Sequence, residues 1–501
     1  MADDKNRCST GIHGLDYILN GGLPRQRFYL VQGEPGAGKT TMGLQFLQEG
    51  IKLGEKGLYI TLSETKNELE QVAISHGWSL NDISILDLTA IEDMKPADQS
   101  NTLFHPFEFE LSETTKVIMQ ETERLRPLRL VFDSLSEMRM LTDNPLRYRR
   151  QMLFLKQFFT KQNCTVVLLD DKSSNMGDLQ INSIAHGVID LSQSSPEYGA
   201  ERRRLNILKV RGIPFKGGFH DYVIRTGGVA VFPRLIATDF AWKKSKTKVS
   251  SDIENLDKLL DGGIDRGTSS LFIGPAGCGK STLAMQYSCA SAARGEKILF
   301  FVFDETVDIL ISRAEGLGMK FAKYMDQNLI TIIHVDPAEM SPGELSDIVQ
   351  RHVMNGGHSM VILDSLNGYI NAMPEERFLM LQLHELFTFL NSQGVITLII
   401  MAQHGLLGAM ESPADITYLA DTVLLLRYFE SEGAMRQAIS VMKKRSGNHE
   451  RTIRELRIDS KGIHVGKPLT EFRGIFTGVP VYHGKSDGAL MDDGYAEKKI
   501  E

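Results

Sequence analysis

Residues 33–40 read Gly-Glu-Pro-Gly-Ala-Gly-Lys-Thr, and residues 274–281 read Gly-Pro-Ala-Gly-Cys-Gly-Lys-Ser. Both stretches match the pattern Gly-x-x-x-x-Gly-Lys-[Thr/Ser], and each follows a predicted strand and opens a predicted helix. In that setting the glycines let backbone N–H groups close around phosphates, and the amino terminus of the helix adds partial positive charge. The two stretches therefore predict two phosphate-binding loops.

The side chains of each loop have separate predicted roles. Lys39 and Lys280 reach the outer phosphates of a nucleotide, and Thr40 and Ser281 ligate magnesium. The predicted phosphate-binding residues are Gly33, Glu34, Pro35, Gly36, Ala37, Gly38, Lys39, Thr40 and Thr41 in the first loop, and Gly274, Pro275, Ala276, Gly277, Cys278, Gly279, Lys280, Ser281 and Thr282 in the second.

The loops belong to an internal repeat that spans most of the chain. Residues 12–16, Ile-His-Gly-Leu-Asp, recur at residues 253–257 as Ile-Glu-Asn-Leu-Asp, at the same distance before the loop. Two long copies indicate a duplicated domain, because solenoid repeats run to only about 20–50 residues. Between the copies the sequence gains Lys and Ser and loses apolar periodicity, as a linker does. We therefore predict domains over residues 1–240 and 251–478, a linker over 241–250, and a flexible polar tail over 479–501.

Short apolar runs of strand length alternate with longer helical patterns in each copy. The predicted strands are residues 28–31, 58–62, 128–132 and 165–169 in the first copy, and 271–273, 298–303, 360–363 and 397–401 in the second. Continuous apolar strands between helices are typical of a mainly parallel sheet that helices cover on both faces. The predicted fold class is α/β, with two tandem P-loop domains.

An aspartate ends an apolar strand in each copy. Residues 128–134 read Leu-Arg-Leu-Val-Phe-Asp-Ser, and residues 360–365 read Met-Val-Ile-Leu-Asp-Ser. An acid in that place anchors magnesium in P-loop proteins. We predict that Asp133 and Asp364 are metal ligands together with Thr40 and Ser281; the alternative for each aspartate is a simple turn residue.

A second acid follows another predicted strand in each copy. Residues 62–65 read Leu-Ser-Glu-Thr and residues 303–306 read Phe-Asp-Glu-Thr, so Glu64 and Glu305 correspond. A carboxylate beside the terminal phosphate acts as a general base or orients the attacking group. We predict that both glutamates are catalytic; the alternative is a solvated residue at a strand end.

A basic pair lies late in each copy, on a predicted strand. The pairs are Lys209 with Arg211, and Lys443 with Arg445. Because side chains alternate across a strand, each pair is predicted to share one strand face. In oligomeric P-loop ATPases such groups reach the neighbouring subunit's nucleotide and stabilise transition-state charge, so we predict a catalytic role. The alternative is a solvated charged face.

Composition narrows the function classes. The net charge is -7, with 42% hydrophobic and 24% charged residues, which disfavours a protein that mainly neutralises nucleic-acid phosphates. The four cysteines have no metal-ligand spacing and are predicted to be structural, as in a reducing compartment. The first residues lack a signal peptide's apolar stretch, and the longest apolar runs are too short for a membrane span. We expect a cytoplasmic protein that binds neither membrane nor nucleic acid.

Together these features resemble the KaiC family of circadian-clock kinases, along nearly the whole chain. The tandem organisation, both loops, the Asp-Ser strand ends, the acids before Thr65 and Thr306, and the Lys-x-Arg pairs carry the resemblance. It implies RecA-like domains and a homohexamer that holds ATP and Mg²⁺ at subunit interfaces. It further implies ATP hydrolysis by the first domain, serine/threonine autophosphorylation by the second, and a regulatory or clock-like timing role.

The chain departs from the family pattern at two places. The family has two adjacent glutamates at the catalytic strand end, whereas this chain has Ser63 before Glu64 and Asp304 before Glu305. Serine cannot act as the base, so hydrolysis in the first domain depends on Glu64. In the second domain Asp304 and Glu305 are both candidates for the base.

The second departure concerns the family's phospho-acceptors, a serine followed by a threonine. Thr417 and Tyr418 stand at the matching positions and are the predicted phosphorylation sites. The alternatives are a buried threonine bonded to the backbone, and a tyrosine that packs on an apolar strand or helix.

The resemblance also bears on partners. It implies a KaiB-like protein on the first domain, near residues 96–109, whereas the final residues do not support a KaiA-like activator. Two other functions stay open. A RecA- or DnaB-like nucleic-acid-stimulated ATPase is disfavoured by the acidic balance and the lack of Lys/Arg-aromatic stretches. A nucleotide-gated scaffold with little catalysis is favoured by Ser63 in the first domain.

Overall fold

A computed structural model describes residues 6–89, 106–141, 144–172, 178–243, 245, 247–373, 378–403, 416–431, 433–475 and 481–483. The chain divides into two compact units, Met1–Arg234 and Leu235–Glu501. Within the described residues, no helix has the length and apolar character needed to cross a membrane.

The first unit alternates strands and helices before it ends in four consecutive strands. In chain order its elements are β1 (Arg7–Cys8), α1 (His13–Ile18), β2 (Leu23–Pro24), β3 (Phe28–Gly33), α2 (Lys39–Lys52), β4 (Gly57–Thr61), α3 (Lys66–Ser75), β5 (Ile83–Asp87), α4 (Pro106–Leu125), β6 (Arg129–Asp133), α5 (Leu135–Met140), α6 (Pro145–Lys161), β7 (Thr165–Asp171), α7 (Asp178–Ile184), β8 (Gly187–Ser194), β9 (Arg202–Val210), β10 (Phe219–Arg225) and β11 (Gly228–Phe232).

The second unit follows a similar order, with one more helix before its fifth strand and two more short strands at its end. Its elements are a 3₁₀ turn (Ala237–Asp239), β12 (Lys248–Val249), α8 (Glu254–Leu259), β13 (Ile264–Asp265), β14 (Ser269–Gly274), α9 (Lys280–Ala293), β15 (Lys297–Val302), α10 (Val307–Gly316), α11 (Phe321–Asp326), β16 (Ile330–His334), α12 (Pro342–Met354), β17 (His358–Asp364), α13 (Leu366–Asn371), α14 (Leu379–Ser392), β18 (Ile396–Ala402), β19 (Thr422–Ser431), β20 (Ala434–Lys444), β21 (Arg454–Asp459), β22 (Gly462–Pro468), β23 (Phe472–Arg473) and β24 (Val481–Tyr482).

Each unit contains a nine-stranded sheet. The strand orders are β11-β10-β9-β8-β3-β7-β6-β4-β5 and β16-β15-β17-β18-β14-β19-β20-β21-β22. The strands from β8 to β5 run parallel, as do those from β16 to β19, whereas the remaining strands pair antiparallel. The predicted α/β class with two tandem P-loop domains is confirmed. The eight predicted strands all form, although Leu62, Leu128 and Phe303 lie just outside them.

Continuous apolar strands form because both faces of each sheet are buried. In β3, Tyr29 and Val31 join one hydrophobic cluster, while Phe28 and Leu30 join another on the opposite face. Successive side chains of a strand point to opposite faces, so a strand buried on both sides needs an unbroken apolar run. The carboxyl ends of the parallel strands then meet at one edge, where α/β proteins bind ligands.

The repeated Leu-Asp of the two opening segments has a structural role. Asp16 accepts hydrogen bonds from the backbone N–H and hydroxyl of Thr10, both at 2.8 Å. Asp257 accepts the same two bonds from Ser251, also at 2.8 Å. The aspartates therefore tie each opening turn to the helix that follows it.

The segments on either side of the second domain form short strands. Lys248–Val249, inside the predicted linker, pairs with Ile264–Asp265. In the predicted tail, Val481–Tyr482 pairs with Phe472–Arg473. Residues 484–501 of that tail lie outside the described residues.

Candidate nucleotide sites

Both predicted phosphate loops connect the end of a strand to the start of a helix. Gly36 and Gly38 have φ of 83° and 87°, and Gly277 and Gly279 have φ of 76° and 95°, a region that residues with a side chain rarely adopt. A Cβ on Gly38 would lie 2.5 Å from the Ile224 side chain. Neither α2 nor α9 has a side-chain cap, so their first N–H groups face the loop and are available to an anion.

The lysine of each loop is buried and points back at the loop. Lys39 Nζ donates to the carbonyls of Gly33 at 2.9 Å and Glu34 at 3.0 Å. It also lies 2.8 Å from Asp171 Oδ1. Its counterpart Lys280 donates to Gly274 O at 2.9 Å and Pro275 O at 2.6 Å.

The carboxylate beside Lys39 has no counterpart at the equivalent strand position of the second domain. Strand pairing places Asp171 opposite Gly33, and in the second domain it places Ala402 opposite Gly274. The two phosphate loops therefore have the same backbone form, but only the first has an aspartate at this neighbouring strand position.

The predicted metal ligands lie together in the first domain. Thr40 Oγ1 donates to Asp133 Oδ2 at 3.2 Å, and the hydroxyl of Tyr59 donates to the same oxygen at 2.6 Å. Burial raises the pKa of the Asp133 carboxyl, while these two hydrogen bonds and Lys39 act in the opposite direction.

The second domain lacks the tyrosine. Phe300 takes the position of Tyr59, since each is two residues before the strand position that pairs with the aspartate. Ser281 bonds to Asp364, but among the described residues Asp364 Oδ2 is buried with no hydrogen-bond partner. Burial raises the pKa of Asp364 to about 6. A buried oxygen without a partner is costly unless a ligand satisfies it.

These groups fit a magnesium ion bound beside nucleotide phosphates. Magnesium is held by one or two carboxylates together with phosphate oxygens, and it prefers oxygen ligands. Thr40 with Asp133, and Ser281 with Asp364, supply a hydroxyl and a carboxylate in each domain. The described residues contain no cluster of three His, Cys, Asp or Glu side chains that would hold a metal alone.

Glu64 lies at the same edge of the first sheet, three residues after the end of β4. Its backbone N–H donates to Thr61 Oγ1 at 3.0 Å, and the Thr61 hydroxyl donates to Glu64 O at 2.6 Å, which fixes the turn. Within the described part of the chain, its Oε2 is buried with no hydrogen-bond partner. Burial, then the charges of Asp133 and Glu68, raise the pKa of the Glu64 carboxyl. Such an oxygen is free to accept a proton from water.

The corresponding acids of the second domain both have partners. Arg313 donates to Glu305 through two nitrogens, Nη1 to Oε2 at 3.0 Å and Nη2 to Oε1 at 2.6 Å. The Ser365 hydroxyl donates to Asp304 Oδ2 at 2.5 Å. Arg313 also lines a cavity together with Lys280 and Ser281 of the loop.

The basic pairs contact segments other than their own phosphate loops. Lys209 Nζ donates to Asn182 O, and Arg211 Nη2 donates to Ser183 O at 3.0 Å, so both hold the carboxyl end of α7. The two side chains of each pair reach consecutive residues of one segment, in keeping with the predicted shared face, although β9 ends at Val210 and β20 ends at Lys444. Arg211 and Arg445 are the first residues beyond those strands.

The second basic pair holds the predicted phosphorylation sites. Lys443 Nζ donates to Thr417 O at 2.9 Å, and Arg445 Nη2 donates to Tyr418 O at 3.0 Å. Both acceptor side chains are exposed and lie in a turn, with Tyr418 51% exposed. Neither a buried threonine nor a tyrosine packed on an apolar strand or helix is found.

Three residues at these sites were not predicted from the sequence: Tyr59, Asp171 and Arg313. Asp171 follows a predicted strand, so the rule that ligands bind at carboxyl ends of parallel strands was a usable signal for it. Tyr59 lies inside an apolar strand and Arg313 on a helix face, where the sequence carries no such signal. Most of the region proposed for a KaiB-like partner, residues 96–109, lies outside the described residues.

If Glu64 is the base for ATP hydrolysis in the first domain, as the sequence predicts, that hydrolysis should decrease on acidification, with a midpoint above the ordinary pKa of glutamate. A raised pKa means that Glu64 is already protonated at a pH where an exposed glutamate is charged, and the protonated form cannot accept a proton from water. The measurement is kcat of a Lys280→Ala chain between about pH 4 and about pH 8 at saturating ATP.

Repeating that profile at two saturating magnesium concentrations separates Glu64 from the metal ligand Asp133. A midpoint that moves with magnesium would assign the loss of rate to Asp133. A rate that stays constant down to the ordinary glutamate pKa would contradict the role of Glu64.

Comparison with known proteins gives a consistent result over both domains. A family model described as the KaiC ATPase matches residues 8–236 and again residues 249–470. The circadian clock protein KaiC3 of Synechocystis sp. is 27% identical over 507 aligned positions, which cover 99% of this chain and 99% of that protein. The circadian clock oscillator protein KaiC of Synechococcus elongatus is 27% identical over 479 positions, covering 95% and 92%.

Proposed function

This chain belongs to the KaiC family of ATPases, and from that premise we propose that it is a homohexameric ring that hydrolyses ATP in its first domain and phosphorylates itself in its second. The proposal includes ATP and Mg²⁺ in both domains, a regulatory or clock-like timing role, and a KaiB-like partner on the first domain. The observation that carries the ATPase is the first site at one sheet edge. It contains Lys39, Thr40, Asp133 and a Glu64 whose Oε2 has no hydrogen-bond partner among the described residues.

Hydrolysis follows from the placement of these groups. The loop N–H groups and Lys39 bind the phosphates, while Thr40 and Asp133 would hold the magnesium ion. Magnesium supplies charge stabilisation at the phosphate oxygens when bound. Glu64 Oε2 accepts a proton from the water that attacks the terminal phosphorus, and the bond from that phosphorus to ADP breaks.

Self-phosphorylation requires an accessible hydroxyl and a carboxylate that accepts the proton of that hydroxyl. The exposed turn at Thr417 meets the first requirement, and Asp304, at the strand end beside Asp364, meets the second. The hydroxyl oxygen bonds to the terminal phosphorus, its proton passes to the carboxylate, and ADP leaves.

A ring explains why each basic pair contacts a segment other than its own phosphate loop. Lys443 and Arg445 hold the turn at 417–418, which places two cations beside the acceptor side chains. If that turn faces the nucleotide of a neighbouring copy, the same cations stabilise the charge that develops during transfer. We extend the same role to Lys209 and Arg211 in the first domain.

Phosphosite mapping after incubation with Mg²⁺ and labelled ATP tests the kinase half of the proposal. We expect label on Thr417 or Tyr418, lost in an Asp304→Asn chain because the amide cannot accept the hydroxyl proton. Glu305→Gln provides the matched control at the adjacent acid, and Lys280→Ala removes the second phosphate site.

The outcomes separate the two activities. Label that survives in Asp304→Asn but disappears in Glu305→Gln would move the base to Glu305. Absence of label in a chain that still hydrolyses ATP would refute self-phosphorylation and leave a two-site ATPase. Analytical ultracentrifugation with ATP tests the hexamer independently, and a monomer under those conditions would refute the ring.

A further inference from the structure

Arg313 forms a bidentate ion pair with Glu305, one of the two acidic residues at the strand end of the second domain. Its Nη1 and Nη2 donate to the two carboxylate oxygens of Glu305 at 3.0 Å and 2.6 Å. The pair is partly shielded from water, with side-chain exposures of 36% and 22%. Two parallel N–H···O bonds fix the carboxylate in position as well as in charge, because the fork of the guanidinium matches the carboxylate geometry.

The arginine of the pair lies beside the phosphate loop of the second domain. Arg313 lines one cavity with Lys280, Ser281 and two glycines of that loop, Gly277 and Gly279. After burial, which raises the pKa of Asp364 most, the charge of Glu305 raises that pKa further and the charge of Arg313 lowers it, so both groups lie close to the proposed metal ligand. Replacing Arg313 would therefore change the charge beside the phosphate loop and release the carboxylate of Glu305.

Among the described residues of the first domain, Glu64 has no arginine partner that corresponds to Arg313. Helices α3 and α10 begin at equivalent positions, each after a threonine cap, and Val72 stands at the place of Arg313. Glu64, the counterpart of Glu305, has an Oε2 that is buried with no partner among the described residues. The residue at this helix position therefore differs between the two sites. Arg313 holds both carboxylate oxygens of Glu305, whereas the Val72 side chain offers no hydrogen bond to Glu64.

We propose that Arg313 is a positioning residue that withholds Glu305 from hydrolysis and so makes the second domain the slower ATPase. A carboxylate whose two oxygens each accept a guanidinium N–H is fixed in place, so neither oxygen can turn toward an attacking water. Slow hydrolysis keeps the terminal phosphoryl group available for transfer to a hydroxyl. This inference rests on the proposed ATPase and kinase functions.

The expected effect of Arg313→Val is faster hydrolysis in the second domain. With the valine of the first domain in place, Glu305 becomes free to take the proton of the attacking water, while the oxygen of that water bonds to the terminal phosphorus and ADP leaves. We expect a rise of about fivefold in kcat, less than the ~10²–10⁴-fold that a complete general base contributes, because Arg313 restrains Glu305 without removing it.

The measurement is steady-state ATPase of the full chain at saturating ATP, in a Glu64→Gln background that silences the first site. Glu305→Gln added to Arg313→Val should abolish the rise, a dependence that a merely structural role of Arg313 would not produce. Arg313→Lys keeps one cation and should give an intermediate rate. Arg351→Val removes an arginine from an exposed pair on α12 and should leave the rate unchanged.

The reciprocal exchange tests the same idea in the first domain. Val72→Arg should pair with Glu64 and lower kcat by about tenfold relative to Val72→Ala, which loses the same packing without gaining a cation. Thermal unfolding of both variants shows whether each is folded, and if Val72→Arg is not, the Arg313→Val result decides.

Two results would count against the proposals in different ways. If the chain without substitutions hydrolyses no ATP, the proposed function fails. If it does hydrolyse ATP but Arg313→Val leaves the second-site rate unchanged or lowers it in a folded chain, the role given to Arg313 is overturned.

Discussion

Glu64→Gln should lower ATP hydrolysis by the full chain by about 10- to 100-fold. Glutamine preserves the shape of the side chain but cannot take a proton from the attacking water. Because Arg313 restrains Glu305, we expect the second domain to replace little of the lost rate. Phosphate release at saturating ATP measures the effect, and binding of a fluorescent ATP analogue should remain unchanged.

Glu68 offers a matched control four residues further along the chain. It caps α3 by accepting hydrogen bonds from the backbone N–H and hydroxyl of Thr65, at 2.7 Å and 2.8 Å. Glutamine also completes this capping arrangement, so Glu68→Gln should retain both fold and rate. Equal losses in the two variants, or a Glu64→Gln chain as active as the unsubstituted one, would show that Glu64 is not the base.

Arg129→Met should destabilise the first domain by about 3–5 kcal/mol, the usual cost of removing one partner from a buried ion pair. The Arg129 side chain is 0% exposed although it starts an apolar strand. Its Nε donates to Glu55 at 2.5 Å, and its Nη1 donates to Ser9 O at 2.6 Å and Phe46 O at 2.8 Å. It therefore joins β6 to the opening segment and to α2, which carries the phosphate loop.

Calorimetric unfolding of the full chain measures this loss as a fall of about 10 °C in the first-domain transition, at the usual 2–4 °C per kcal/mol for a domain of this size. The second-domain transition should not move. Arg124→Met is the control, since Arg124 pairs with Glu121 on the exposed face of α4 and should shift neither transition. Similar shifts in the two variants would mean that the buried network contributes nothing beyond a surface pair.

The two domains share a backbone arrangement and differ in the charges around it. Tyr59 donates to the metal-ligand aspartate of the first domain, where the second has Phe300. Asp171 pairs with the loop lysine of the first domain, where the second has Ala402. With Val72 and Arg313, these exchanges give two electrostatically distinct sites from one duplicated fold, which supports a division of labour between them.

The sequence by itself determined the fold class, the duplication, both phosphate loops and the acids at the strand ends. These features depend on local spacing: apolar runs make buried parallel strands, and the carboxyl ends of such strands meet at one edge whatever the remaining packing. Lys39, Thr40, Asp133 and Glu64 could therefore be assigned to one site from their places after strands and before helices.

Only the tertiary structure decided which partner each of these groups has. Arg313 is eight residues after Glu305, on α10, and its guanidinium reaches back to that carboxylate; α3 begins at the equivalent position but carries Val72 there. Lys443 and Arg445 were predicted to share one face, but the sequence did not predict that they would both contact the turn at 417–418. Side-chain contacts between separate elements depend on packing angles and strand ends, which the spacing of residues along the chain does not specify.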